Sequence, residues 1–160
     1  MASFGTSRHA GVTLIELTIV LLLAAVLAAA VAPRWYSAGE ATVGFQIDRL
    51  ARDLRHAQAL AHTQGRTLRV NVESTRYCVT LAPATDCAQA IRDPATGAPF
   101  VVPLEHDVTL SGTSTELDSL GRPKDGTLLA AARVFRLTAG ETAWSAVLRP
   151  LTGFVEVKSP

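Results

Sequence analysis

Glu16 is the residue whose placement most demands a chemical reason. It is the one charge in the run Val12–Ala32, VTLIELTIVLLLAAVLAAAVA. A carboxylate in so apolar a segment costs on the order of 2.5–3.5 kcal/mol near the centre of a membrane helix, and less near its end. Such a group is functional by default and calls for a cationic partner. The other chemistry-bearing side chains form no familiar set. Cys78 and Cys87 are the only cysteines and no CxxC is present, so a metal site would lack ligands. They read either as a structural staple or as two buried thiols. His56 and His62 fall on different faces of a helix, and His106 stands alone. Asp86, Asp93, Asp107, Asp118 and Asp125 scatter over turn-rich sequence without calcium-loop spacing and read as solvated turn residues. No nucleophile elbow, phosphate loop or HExxH pattern occurs. The expectation is a protein that is not an enzyme and uses no cofactor and no metal.

The elements that must place these residues follow from periodicity. Val12–Ala32 spans roughly 30 Å as a helix, the thickness of a bilayer core. Pro33 removes a backbone donor and predicts a kink rather than an end. Beyond it Val43, Ile47, Leu50, Leu54, Ala57 and Ala61 form an apolar stripe with a period near 3.6. Arg49, Arg52, Asp53, Arg55 and His56 lie largely off that stripe. Gly39 and Gly44 loosen the stretch after Pro33, and Gly65 is placed to cap the helix. One helix is therefore expected from Val12 to about Gln64, apolar all round and then amphipathic. Trp35 and Tyr36 read as interfacial aromatics or simply as the flank of the apolar run.

Residues 66–160 read as β structure. Thr67–Val72 and Tyr77–Leu81 alternate and make a hairpin around Glu73-Ser74-Thr75. Pro83, Pro94, Gly97 and Pro99 punctuate a turn-rich stretch. Phe100–Val102, Val108–Leu110 and Thr115–Leu117 are short strand candidates, and Leu120–Pro123 is a turn. Arg133–Leu137, Trp144–Leu148 and Phe154–Val157 make a closing antiparallel run. The fold class is α+β, with the second half of the helix packed on a single antiparallel β-sheet in a C-terminal domain.

Composition sets the outer limits. The chain has 160 residues, 15 Lys+Arg against 14 Asp+Glu, and a net charge of +1. That length allows one globular domain and an appendage. The even charge argues against nucleic acid as a partner. The residues are 48% hydrophobic but only 6% aromatic, and the excess sits in Val12–Ala32. A secretory signal peptide cut near Ala28-Ala29-Ala30 would account for that hydropathy. So would a plain single-pass anchor with Arg8 on the cytoplasmic side. Neither explains Glu16.

The local sequence does. Gly11-Val12-Thr13-Leu14-Ile15-Glu16 resembles the processing motif of type IV prepilins, behind a short, weakly basic leader, MASFGTSRHAG. The one departure is Val12, where phenylalanine is commoner. The segments LARDLRHAQALAHTQGRTLRVNV, LDSLGRP, ARVFRLTAG and LRPLTGFVEV resemble minor pseudopilins of the GspH/FimT type, and minor pilins of mannose-sensitive-hemagglutinin-type pili.

That resemblance implies a pilin-like fold with four parts: a leader (1–11), a transmembrane and filament-core helix (12–32), its amphipathic continuation (33–65) and a periplasmic β domain (66–160). A prepilin peptidase would cut after Gly11 and methylate Val12. Glu16 would pair with the freed Val12 ammonium of a neighbouring subunit and fix register, and Pro33 would bend the helix. The implied partners are other minor and major pseudopilins or pilins, the peptidase, the inner-membrane assembly platform and inner-membrane lipid. The subunit would sit single-pass in the inner membrane, N-terminus cytoplasmic, and then enter a periplasmic pseudopilus or a pilus. The implied function is that of a minor type II secretion pseudopilin, with a minor type IV pilin as the alternative. The oxidising compartment favours a Cys78–Cys87 disulfide. Gly121-Arg122-Pro123-Lys124 partly matches the arginine motif of DNA-uptake minor pilins, which makes Arg122 and Lys124 the DNA-binding candidates. The balanced charge of residues 65–160 speaks against that role.

Overall fold

The computed structural model describes residues 13–159, apart from the side chains of residues 29–40. One α-helix, α1, runs Leu14–Gln64. Gly11 and Val12 lie outside the described residues. The backbone is helical through Pro33, and the bend expected there falls among residues whose side chains are not described, as do Trp35, Tyr36 and Gly39.

Contacts divide the chain into Met1–Ser37 and Ala38–Pro160. In the second unit the apolar stripe of α1 is the spine of the core. Val43, Ile47, Leu50, Ala57 and Ala61 are fully buried, and Leu54 is 2% exposed. Gln46, Ala51 and Leu60 widen the buried face. The helix ends in a Schellman arrangement. Gly65, at φ 61, donates to the His62 carbonyl, and Arg66 donates to the Ala61 carbonyl.

Ten strands follow, paired antiparallel in two sheets. The first sheet uses β1 (Leu68–Val72), β2 (Arg76–Leu81), β3 (Val101–Pro103), β5 (Thr115–Leu117), β6 (Pro123–Asp125) and β7 (Thr127–Leu128). Its order is β3-β2-β1-β5-β6-β7. The second uses β4 (Thr109–Ser111), β8 (Arg133–Ala139), β9 (Thr142–Leu148) and β10 (Val155–Lys158), in the order β10-β9-β8-β4. The predicted hairpin is present, with Leu68 opposite Leu81 and Val72 opposite Tyr77. The closing run is present too, with Phe135 opposite Ala146 and Val157 opposite Ala146 from the other side. Alternation does the sorting: in β8, Phe135 and Leu137 are buried while Val134 and Arg136 face out.

Leu68, Val70, Tyr77, Val79 and Leu117 of one sheet share a single core with Leu110, Phe135, Leu137, Leu148 and Val155 of the other. The α1 stripe belongs to that same core. Three features depart from the sequence reading. One expected sheet is two. The stretch after Pro123 forms a β6–β7 hairpin around Gly126 (φ 70). A short 3-10 turn spans Cys87–Gln89, capped by the Asp86 carboxylate on the Ala88 N–H.

Removing one stripe residue measures how much the fold rests on it. Leu54→Ala is expected to lower unfolding stability by about 2–5 kcal/mol, because the buried site loses both apolar area and contacts. Urea unfolding with an unchanged slope is the check; a loss under about 1 kcal/mol would contradict the packing described.

Candidate assembly site

The helix start is built by Thr13 and Glu16 together. Thr13 stands as the N-cap. Its carbonyl accepts the Leu17 N–H, and its hydroxyl accepts the Glu16 N–H at 3.3 Å. Thr13-Leu14-Ile15-Glu16 is thus the Thr-x-x-Glu spacing of a capping box. The same four residues therefore carry both the motif and the N-cap of the helix. Glu16 lies in the first turn of α1, where the helix dipole favours a carboxylate by about 0.3–1 kcal/mol. The cost of burying such a charge is on the order of 2.5–3.5 kcal/mol at the centre of an apolar span and falls toward its end, where Glu16 stands. The helix start gives Glu16 a favourable dipole but no counter-ion.

The segment is bare in the single chain. Residues 13–28 are all exposed, with Leu14 at 81% and Leu27 at 66%. Among the described residues, no helix is long and apolar enough to cross a membrane; the expected Val12–Ala32 span begins and ends beyond residues 13–28. A contiguous apolar surface of this kind marks a contact with another chain or with lipid.

In the β-bearing unit, polar contacts pin the sheets and loops to α1. The Tyr77 hydroxyl donates to the Asp53 carboxylate at 2.6 Å. Burial pushes the Tyr77 phenol far above its ordinary pKa, and the bond to Asp53 adds to that. His56 Nε2 meets the Asp93 carboxylate at 2.9 Å, and the His56 ring packs on Phe100. Asp93 also accepts from the Ala95 N–H and the Thr96 hydroxyl. The bond from His56, then that from Ala95, hold Asp93 below its ordinary value of 3.8. Gln46 binds the Glu105 backbone through both amide ends, and Arg55 donates to the Val155 carbonyl.

Several aspartates expected only as solvated turn residues therefore organise structure. Asp118 accepts from Arg122 and from the Leu120 and Arg122 N–H groups. Burial raises its pKa, but those donors outweigh it and hold the carboxyl low. No local pattern could have flagged the Asp53–Tyr77 or His56–Asp93 contacts, since the partners are far apart in sequence.

The remaining candidates separate in space. Cys78, on β2, and Cys87, in the 3-10 turn, form a buried disulfide. Arg122 pairs with Asp118 at 2.8 Å, and Lys124 reaches Glu116 at 3.5 Å. Glu116 also takes Arg69, Asp125 takes Arg133, and Glu156 takes Arg149. Arg122 thus has Asp118 as its counter-ion, whereas Lys124 shares Glu116 with Arg69. Among the described residues, no group of three His, Cys, Asp or Glu side chains could hold a metal ion.

Residues 6–32 match the family described as the prokaryotic N-terminal methylation motif. The match covers Gly11, Val12 and Glu16 in one register. This motif implies processing by a prepilin peptidase and assembly with other pilins, and it supports a pilin or pseudopilin role. No curated protein and no solved structure matches the chain.

Two outcomes test the polar contacts. In His56→Ala, the Asp93 pKa is expected to rise toward 3.8, read by NMR titration; an unchanged value would remove the pair. The sign follows from linkage. A depressed carboxylate contributes stability above its unfolded pKa and loses it as pH falls through the folded one. Acid unfolding of the parent should therefore lie at lower pH than that of the variant. Separately, Cys78→Ala/Cys87→Ala should cost up to about 3 kcal/mol, as the short loop regains chain entropy in the unfolded state. Equal unfolding midpoints would contradict a stabilising staple.

Proposed function

We propose that this chain is a minor pseudopilin of the type II secretion system, a structural and initiating subunit of the pseudopilus and not a catalyst. One observation carries the reading: Glu16 stands in the matched motif, in the first turn of a helix whose next turns are apolar and uncovered. In this reading the peptidase cuts after Gly11 and methylates Val12. The Val12–Ala32 segment then holds the subunit in the inner membrane, single-pass, with the N-terminus cytoplasmic and the β domain periplasmic. On assembly the segment joins the filament core, and the Val12 ammonium of a neighbour meets Glu16. Two unit charges about 4 Å apart at an effective dielectric near 20 attract by about 4 kcal/mol. That is larger than the contribution of the helix dipole, and it is gained only where the two charges meet. A subunit out of register leaves both charges unpaired in an apolar core, so the pair selects register. The assembly platform, other minor and major pseudopilins and membrane lipid are its partners.

The second reading is a minor type IV pilin. It uses the same Glu16 chemistry and is favoured by the Cys78–Cys87 disulfide and the Gly121-Arg122-Pro123 turn. The similarity to GspH-type pseudopilins favours secretion.

Glu16→Ala should abolish incorporation into filaments while the Cys78–Cys87 disulfide still forms. Normal incorporation would sink the register role. The two machines separate in a deletion strain. Exoproteins stranded in the periplasm, and restored by complementation, are expected. An unchanged secretome with lost surface fibres would replace the first reading by the second.

A further inference from the structure

The second sheet carries a set of unmatched donors on the face turned away from the core. In β8, Phe135 and Leu137 are buried, so Arg136 between them faces out. Arg136 stands opposite Ser145 of β9, and Ser145 stands opposite Lys158 of β10. Residues directly opposite each other in a sheet share a face, so the three side chains form one row across three adjacent strands. Strands lie about 4.8 Å apart, which puts the two cationic residues about 10 Å apart with Ser145 between them. Arg136 and Lys158 are exposed and Ser145 is half-buried.

This row differs from the other basic positions of the sheets. Arg69, Arg76, Lys124 and Arg133 each meet a carboxylate, at 3.3, 2.7, 3.5 and 3.0 Å. The side chains of Arg136, Ser145 and Lys158 have no hydrogen-bond or ion-pair partner among the described residues. The carboxylate two residues along β10, Glu156, is held by Arg149 at 2.7 Å. The neighbouring rows of the same face hold Val134 and Val147 on one side and Thr138 and Ala143 on the other, and neither adds a cation. The donors are therefore concentrated at one spot and do not extend into a stripe.

An arginine fork and an ammonium donate and cannot accept, and a serine hydroxyl can donate beside them. Three donors from three adjacent strands match an anion with three acceptor oxygens, which a phosphate group presents and a carboxylate does not. A nucleic-acid backbone calls for a longer line of cations than two. We propose that Arg136, Ser145 and Lys158 bind a single phosphate group, supplied by free phosphate or by a lipid headgroup. The bound group bridges β8, β9 and β10 and gives both cations the counter-ion that the chain itself does not provide.

The test is an NMR titration of the isotopically labelled full chain in neutral detergent, with inorganic phosphate against sodium chloride of equal ionic strength. Phosphate should shift the Arg136, Ser145 and Lys158 signals to saturation, and chloride should not. Arg136→Gln should weaken the apparent affinity about tenfold or more, the scale of one lost charge-assisted hydrogen bond, while the remaining signals keep their parent positions. Arg76→Gln, at a cation already paired with Glu73, should leave the affinity unchanged. Nanodiscs containing phosphatidic acid, with no phosphate added, identify the source. The same shifts there assign the site to a lipid headgroup, and their absence assigns it to soluble phosphate. Equal shifts with chloride, an undiminished affinity in Arg136→Gln, or a response to duplex DNA with none to phosphate would each overturn the proposal.

Discussion

One helix has to satisfy two surroundings, and the rest of the molecule is arranged around that constraint. From Val43 to Ala61 its apolar stripe needs a cover, and the two sheets supply one from both sides. From Thr13 to Ala28 the chain supplies no cover. A stripe about 100° wide can be buried by one domain; a helix apolar all round cannot, and must find lipid or other helices. The sequence changes from one regime to the other within a single helix.

Within the uncovered part the energetics turn on one carboxylate. Capping by Thr13 and the dipole of the first turn hold Glu16 in place but supply no counter-ion for it. A cation must come from outside the helix. In a chain matching the N-terminal methylation motif, peptidase cleavage creates one at the new N-terminus. In the proposed reading, a structural feature, the charge in the apolar run, and a processing event are parts of the same interaction.

Periodicity carried most of the fold. The stripe residues Val43, Ile47, Leu50, Leu54, Ala57 and Ala61 are all buried, because a 3.6 period leaves little choice of face. The Leu68–Leu81 hairpin and the Phe135–Ala146–Val157 rows follow from strict alternation. What escaped has equally physical causes. Pro123 argues against a strand except at its first position, which is where it begins β6. The division into two sheets depends on long-range pairing, such as β1 with β5 and β4 with β8, which local pattern does not encode. Tyr77–Asp53 and His56–Asp93 join residues distant in sequence, so Asp53 reads only as a helix residue off the stripe and Asp93 as a solvated turn residue. The candidate site is legible as a motif, with Glu16 as its improbable member, while the Thr13 N-cap is seen only in the structure.

The mature N-terminus tests the central claim most directly. Intact mass and N-terminal peptide analysis of the chain recovered from membranes should give a protein beginning at N-methylated Val12, with residues 1–11 gone. A chain still beginning at Met1 would leave no ammonium where Glu16 needs it, and one cut near Ala28-Ala29-Ala30 would have lost Glu16 altogether; either result would contradict the account.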